Sequence, residues 1–127
     1  NDFSTCEFSQ VRSSLAIMDA AQALRRFKAD VFQVLGHPTR IHIVEVLSEG
    51  EHSVGEILEK VGVEPANLSH HLAVLRSRKL VVFRKSGNQV LYTLRDPLLS
   101  EVLSNMRQYF QDHLEDSLEI LRALEKK

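Results

Sequence analysis

The chain has 127 residues, enough for one domain with a hydrophobic core but hardly for two. Hydrophobic residues make up 43% of it and charged residues 26%, no apolar run approaches the length of a membrane span, and no cleavable signal pattern is present. We therefore expect a cytoplasmic protein without membrane contact. The single cysteine, Cys6, excludes a disulfide within the chain and fits a reducing compartment. Because the chain does not begin with methionine, we expect the natural start to lie upstream.

Charge is distributed unevenly along the chain, although the net charge is only −1. Residues 1–64 carry a net charge of −4 and residues 96–127 a net charge of −3. Between them, residues 65–95 carry six lysines or arginines and no acidic residue. A basic segment between two acidic ones is typical of a localised site for a polyanion.

The first part of the chain predicts an arm followed by helices. Residues 1–18 follow no single hydrophobic period, so we predict an N-terminal arm there and one domain over residues 19–127. Asp19 begins a pattern that resembles a capping box, which predicts a first helix. That helix should end at Gly36, and a second should span residues 39–48.

Two short helices separated by a glycine-containing turn follow. Ser53 and Glu56 form a clear capping-box pattern for a third helix, which Gly62 should end. The fourth helix should begin at Pro65, because proline suits the first helical position. This pair is typical of a helix-turn-helix.

The fourth helix is predicted to have one apolar and one polar face. Leu68, Leu72 and Leu75 recur at helical spacing and should be buried. The opposite face carries small or polar side chains and no acid, which suits entry into the major groove of DNA. The same pattern also fits an ordinary amphipathic surface helix.

After this helix, residues 80–84 and 89–94 are predicted to form two strands joined by a turn at residues 85–88. A hairpin directly after such a helix is a wing, and its basic, polar tip could reach a phosphate or a minor groove. Asp96 should cap a last helix that begins at Pro97. The apolar stripe of that helix extends over about 40 Å, longer than one small domain can cover, so we expect part of it to contact a second chain.

The order of these elements, mainly α with a small β-hairpin wing, resembles that of the ArsR/SmtB family of bacterial winged helix-turn-helix repressors. The resemblance rests on residues 35–41 (LGHPTRI), residues 69–75 (SHHLAVL), Leu80-Val81 and residues 84–92. It implies a homodimer that pairs through the first and last helices, binds operator DNA with an imperfect inverted repeat, and represses transcription. An inducer, a small molecule or an oxidant, would weaken that binding.

The resemblance also implies which residues contact DNA. Base-facing positions would be Ala66, Asn67, Ser69 and His70. The wing would contribute Arg84, Lys85 and Asn88, and Arg76 and Arg78 would touch phosphate unless they only form a solvated helix end. His71, by contrast, is interpreted as a structural residue, and the scattered His37, His42 and His52 as capping or surface residues.

Metal-sensing members of the family carry ELCVCDL in their third helix, whereas residues 51–57 here read EHSVGEI. Without the two thiolates, soft metal ions lose their ligands at this place. The last helix offers Asp112, His113 and Asp116, which are only weak candidates for a zinc site and more readily a solvated acidic face. We therefore predict no bound metal. Cys6 could be redox-active across a dimer or could be an inert thiol.

The sequence also bears on two other classes of function. No glycine-rich phosphate loop, paired-carboxylate cleft or plausible Cys–His pair is present, so we predict neither enzyme activity nor a cofactor. The alternative to DNA binding is a winged-helix module for protein–protein contact. The absence of acid from residues 65–95 favours DNA.

Overall fold

The structure is a computed structural model that describes the backbone of residues 2–126 and the side chains of residues 19–126. It contains five helices and three strands within that range. In chain order the elements are α1 (Asp2–Leu35), α2 (Pro38–Ser48), β1 (His52–Ser53), α3 (Val54–Val61), α4 (Pro65–Ser77), β2 (Val81–Ser86), β3 (Gln89–Leu94) and α5 (Leu98–Glu125). The chain divides into two compact units, Asn1–His37 and Pro38–Lys127.

The first unit is the long helix α1, which has 34 residues. It continues through Asp19 without a break, so the predicted capping box at this position is wrong. Asp19 lies in the middle of a helix, where the backbone N–H groups already have carbonyl partners. The division into an arm over residues 1–18 and a domain over residues 19–127 therefore stays a prediction. Leu24, Phe27 and Phe32 are more than half exposed.

The second unit has a core formed by α2, α3, α4 and the sheet. Six side chains in it are almost completely inaccessible to water, and these are Ile43, Val44, Ile57, Leu68, Leu75 and Val81. They come from α2, α3, α4 and β2, so each of these elements contributes an apolar face to one core. At about 25 cal/mol per Å² of apolar area, this burial is the main force that holds the helix-turn-helix in place.

The predicted capping of α3 is confirmed. The Ser53 hydroxyl accepts a hydrogen bond from the Glu56 backbone N–H at 3.1 Å, and the Glu56 carboxylate accepts one from the Ser53 N–H at 3.2 Å. These bonds hold the pKa of Glu56 below its usual value, because they stabilise the charged carboxylate. Gly62 ends the helix with φ of 71°, a left-handed conformation that glycine adopts without steric cost.

The wing belongs to a sheet of three strands rather than two. The predicted antiparallel hairpin is present as β2 and β3, and β1 is added on the far side of β3 to give the order β1-β3-β2. In β1, His52 pairs with Tyr92 and Ser53 with Leu91. A strand of two residues is too short to show a hydrophobic alternation, so the sequence pattern did not predict β1.

The last helix, α5, begins one residue later than predicted. Pro97 rather than Asp96 is the N-cap residue, so the predicted N-cap is wrong by one position. Asp96 lies just before it, and its carboxylate accepts a hydrogen bond from the Leu98 N–H at 2.9 Å. The 28 residues of α5 contain no buried side chain. No helix in residues 2–126 is both long and apolar enough to cross a membrane.

Candidate nucleic-acid interface

Helix α4 is anchored by the apolar stripe that its sequence predicted. Leu68, Leu72 and Leu75 are 1%, 3% and 0% exposed. Pro65 occupies the start of the helix after Glu64, which makes no side-chain capping bond. Because the stripe fixes the rotation of α4 about its axis, the opposite side must face water.

The opposite side carries the four positions that were predicted to face bases. All four are exposed, and they are Ala66, Asn67, Ser69 and His70, which we call the reading face. No acidic residue lies within α4. Short side chains let a helix approach base edges closely, and the amide, hydroxyl and imidazole groups can donate or accept hydrogen bonds there.

His71 points the other way, as predicted for a structural residue. It is 8% exposed, and its Nδ1 accepts a hydrogen bond from Nε of Arg40 in α2 at 3.1 Å. Its ring centroid lies 5.7 Å from that of His70. The bond ties α4 to α2 directly beside the reading face.

His52 is buried as well, at 7% exposure, so its interpretation as a capping or surface residue is wrong. Its Nδ1 lies 2.7 Å from the Gly50 carbonyl, and its Nε2 lies 3.2 Å from Nζ of Lys60. Because an ammonium can only donate, Nε2 accepts and Nδ1–H donates. The ring thereby joins the start of β1 to the last turn of α3.

The end of α4 has an uncommon backbone conformation. Lys79 has φ of 57°, the only positive φ at a non-glycine residue in the described chain. Its N–H donates to the Arg76 carbonyl at 2.9 Å, and the N–H of Leu80 donates to the Leu75 carbonyl at 3.0 Å. This is the Schellman pattern, which turns the chain sharply from α4 into β2.

Arg76 connects α4 to the wing. Its Nη1 donates a hydrogen bond to the Tyr92 hydroxyl at 3.0 Å, and its guanidinium carbon lies 5.1 Å from the centre of the Phe83 ring. The two aromatic rings are 5.7 Å apart. Arg76 is more than a solvated helix end, because its guanidinium packs against the wing, but it is also exposed, so its contact with phosphate stays a prediction. Arg78, the other member of that prediction, is the exposed C-cap residue of α4.

Arg84 of the wing forms a bidentate ion pair with Glu51, the residue before β1. Its Nε and Nη2 donate to the two carboxylate oxygens, both at 2.8 Å. The guanidinium lowers the pKa of Glu51 below its usual value, and the carboxylate raises the pKa of Arg84. This contact was missed because the two residues are 33 positions apart and no sequence pattern relates them.

The turn at the wing tip is shorter than the predicted turn over residues 85–88, because Lys85 and Ser86 belong to β2. Ser86 pairs with Gln89, so Gly87 and Asn88 form a two-residue turn. A positive φ at Gly87 alone, 61°, is the pattern of a type II′ turn. Lys85 and Asn88 are both exposed there.

The other predicted candidates do not assemble into a site. Ser53 and Gly55 occupy the positions of the two cysteines of metal-sensing relatives, and the Ser53 hydroxyl is used for capping. In α5, Asp112 accepts a hydrogen bond from Gln108 at 3.0 Å, and His113 and Asp116 are exposed. Among the described residues no three His, Cys, Asp or Glu side chains are grouped as metal ligands. The prediction for Cys6 lies outside the described side chains.

Known proteins share this arrangement. Residues 37–81 match the family model described as "Bacterial regulatory protein, arsR family". An uncharacterized HTH-type transcriptional regulator of Mycobacterium tuberculosis, Rv0081, is 39% identical over 105 residues, covering 82% of this chain and 92% of its own. The crystal structure of Rv0081 superimposes with a TM-score of 0.69 and 41% identity, covering 75% of this chain and 96% of that one.

Two further relatives extend the comparison. A transcriptional repressor SmtB homolog of Synechocystis is 31% identical over 108 residues, covering 85% of this chain and 76% of its own. The solution structure of a homodimeric winged helix-turn-helix DNA-binding domain of Mycobacterium bovis, described as a possible ArsR-family regulator, has a TM-score of 0.70 at 27% identity. It covers 76% of this chain and 90% of that one.

Proposed function

The chain belongs to the ArsR/SmtB family of winged helix-turn-helix transcriptional repressors, and on this premise we propose that it binds an imperfect inverted repeat in operator DNA as a homodimer. The observation that carries the proposal is the reading face of α4. It is exposed and free of acid, while the opposite stripe of the same helix is completely buried. We propose that α4 enters the major groove and that Asn67, Ser69 and His70 read base edges there.

We propose that the wing contacts the DNA backbone. Lys85 and Asn88 lie at its exposed tip, where an ammonium and an amide can contact phosphate or the minor groove. Arg84 pairs with Glu51 through Nε and one N–H of Nη2, so its three other N–H groups remain available for phosphate, although the carboxylate offsets its positive charge. Arg76 acts mainly by holding the wing against α4.

The homodimer is supported by the apolar surface of α5. Five apolar side chains from its middle to its C-terminal end are at least 41% exposed, and these are Phe110, Leu114, Leu118, Leu121 and Leu124. They recur at steps of three and four, so they form one stripe along the helix. An exposed stripe of this kind marks an interface. Similarity to a homodimeric DNA-binding domain supports the same conclusion, and we propose that α1 also contributes.

DNA binding is tested with purified protein and labelled promoter duplexes at several salt concentrations. We expect preference for one fragment and an affinity that falls steeply with salt, because each phosphate contact releases counterions. Asn67→Ala should lower affinity for the preferred fragment, whereas Glu115→Ala on α5 should not. Equal binding to all duplexes, or no binding, would contradict the proposal and favour a protein-docking module.

The dimer is tested by sedimentation. Leu118→Glu should shift the protein to monomer, because a charge buried in an apolar interface is costly. Glu115→Gln, a nearby change on the same helix, should leave the dimer intact. A monomeric wild-type protein would contradict this part of the proposal alone.

We propose that the protein acts by binding rather than by catalysis, and without a cofactor. The proteins to which the chain is similar are named as a transcriptional regulator, a transcriptional repressor homolog and a DNA-binding domain, which supports a role in transcription. Release from DNA by a small inducer or an oxidant is part of the proposal, and absence of a bound metal stays a prediction.

A further inference from the structure

A shallow groove lies at the base of the wing, away from the tip. Its volume is about 440 Å³, within the range of small-molecule sites. Its floor is apolar and consists of Val81, Val82 and Phe83. Its other lining residues are all cationic, and these are Arg76, Lys79 and Arg95.

The charge of the groove is not balanced by the protein. Neither the Lys79 ammonium nor the Arg95 guanidinium forms a hydrogen bond or ion pair with a residue that the structure describes. Among residues 19–126, Arg76 is engaged only with the neutral Tyr92 hydroxyl and the Phe83 ring. Three cations without a carboxylate make a site for an anion.

The apolar floor of the groove sets a second requirement for its ligand, which must cover apolar surface. Val82 and Phe83 are 44% and 46% exposed, so the groove leaves apolar surface in contact with water. A DNA phosphate would satisfy the cations but would leave this surface uncovered. An aromatic or aliphatic carboxylate would satisfy both, because its apolar body would cover the floor while its charge met the rim.

We propose that this groove binds a small organic carboxylate with an apolar body and that its occupation weakens DNA binding. The proposed effect on DNA binding rests on the proposed function. Arg76 belongs to α4, whereas Phe83 and Tyr92 belong to the wing, so a carboxylate that draws Arg76 away from Tyr92 changes the connection between both DNA-binding elements. It also neutralises positive charge next to α4, which reduces attraction to DNA.

Binding is tested without DNA, by following backbone amide resonances of the wild-type protein in titrations with sodium benzoate and sodium hexanoate. We expect shifts confined to residues 76–83, Tyr92 and Arg95. Benzamide, which has the ring but no charge, and inorganic phosphate, which has charge but no apolar body, should each bind at least roughly tenfold more weakly, the factor expected when one charged hydrogen bond or the apolar contact is lost.

Variants locate the site. The double variant Lys79→Gln/Arg95→Gln should weaken benzoate binding at least roughly tenfold, as expected for the loss of two charged partners. Arg107→Gln on α5 removes a cation outside the groove and should change nothing. Equal binding of phosphate or benzamide, unchanged binding by the double variant, or no shifts with either carboxylate would each overturn the proposed site.

The coupling has a separate readout. At constant ionic strength, replacing chloride by benzoate should lower the affinity for operator DNA in the wild type but not in the double variant. If benzoate binds in the groove and DNA affinity is unchanged, the proposed effect on DNA binding is wrong, whereas the proposed carboxylate site is supported. If the protein binds no DNA at all, the proposed function and the coupling are both wrong, while the resonance shifts still decide the site.

Discussion

The reading face of α4 and the wing differ in how far their polar side chains are already engaged with the protein. Asn67 and Ser69 extend from an exposed surface without a carboxylate nearby on the helix. Arg84 of the wing, in contrast, is held by both oxygens of Glu51. The helix therefore presents uncommitted groups to a ligand, whereas Arg84 of the wing already has a carboxylate partner within the protein.

This difference shows why charge counted along the sequence overestimates charge available for binding. Residues 65–95 contain no acid, yet folding brings Glu51 from outside this segment against Arg84. Arg76 is likewise used within the protein, against Phe83 and Tyr92. Lys85 at the wing tip and Lys79 and Arg95 at its base remain for external anions.

The largest expected effect comes from truncating one of the buried leucines that anchor α4 in the core. Leu75→Ala should destabilise the protein by about 2–5 kcal/mol, because Leu75 is completely buried and its truncation leaves a cavity. Urea unfolding measures this. The same substitution at Leu98, which is 60% exposed, should cost less than about 0.5 kcal/mol. Similar losses at both positions would mean that α4 is not seated as described.

The next effect distinguishes base reading from backbone contact. His70→Ala or Ser69→Ala should cost about 1–3 kcal/mol of binding to the preferred operator and relax specificity at one or two base pairs. Arg84→Ala should change affinity for all duplexes about equally, because phosphates carry no sequence information. Specificity is measured by competition between the preferred operator and duplexes that differ from it at a single base pair. Equal relaxation of specificity by both classes would remove the distinction between helix and wing.

A smaller effect concerns the link between the two regions. Lys79→Gly should raise the free energy of unfolding by up to about 1 kcal/mol, because Lys79 occupies a left-handed conformation that costs a residue with Cβ but not glycine. Arg78→Gly is the matched control. Arg78 has φ of −99°, so glycine gains nothing there and should be neutral or destabilising. Stabilisation by both variants would argue against a conformational cause.

The smallest effect tests the internal partner of the wing. Glu51→Gln should free the Arg84 guanidinium, raise affinity for duplexes in general, and steepen the dependence on log salt by about one unit, as for one added phosphate contact. Binding isotherms at several salt concentrations provide the slope. An unchanged slope would show that Arg84 does not reach DNA even when it is released.

Glu51→Gln should also change how the stability of the protein depends on pH. Because the pKa of Glu51 is lowered in the folded protein, the ion pair stabilises the fold at neutral pH, and this contribution is lost as the pH falls below 4.5 and through the lowered value. The Tm difference between the wild type and Glu51→Gln should therefore be present at pH 7 and vanish in acid. A constant difference would contradict the assignment.

Features of the fold that arise from neighbouring residues could be predicted from the sequence alone. The Ser53–Glu56 capping box, the end of α3 at Gly62 and the start of α4 at Pro65 all depend on contacts within about one helical turn. The buried stripe of α4 follows from its period, and the exposed reading face follows from the stripe. These local signals were sufficient for the helix-turn-helix and the wing hairpin.

What only the tertiary structure decided depends on residues that are distant in sequence. The pairing of β1 with β3, the Glu51–Arg84 ion pair and the Arg76–Tyr92 hydrogen bond each join segments that no local pattern relates. The backbone also overrode a local signal at Asp19, where the helix continues because propagation costs less than a new start. Local hydrogen-bonding rules specify where helices begin and end, whereas the partner of a long charged side chain is determined by which segments the packed core brings together.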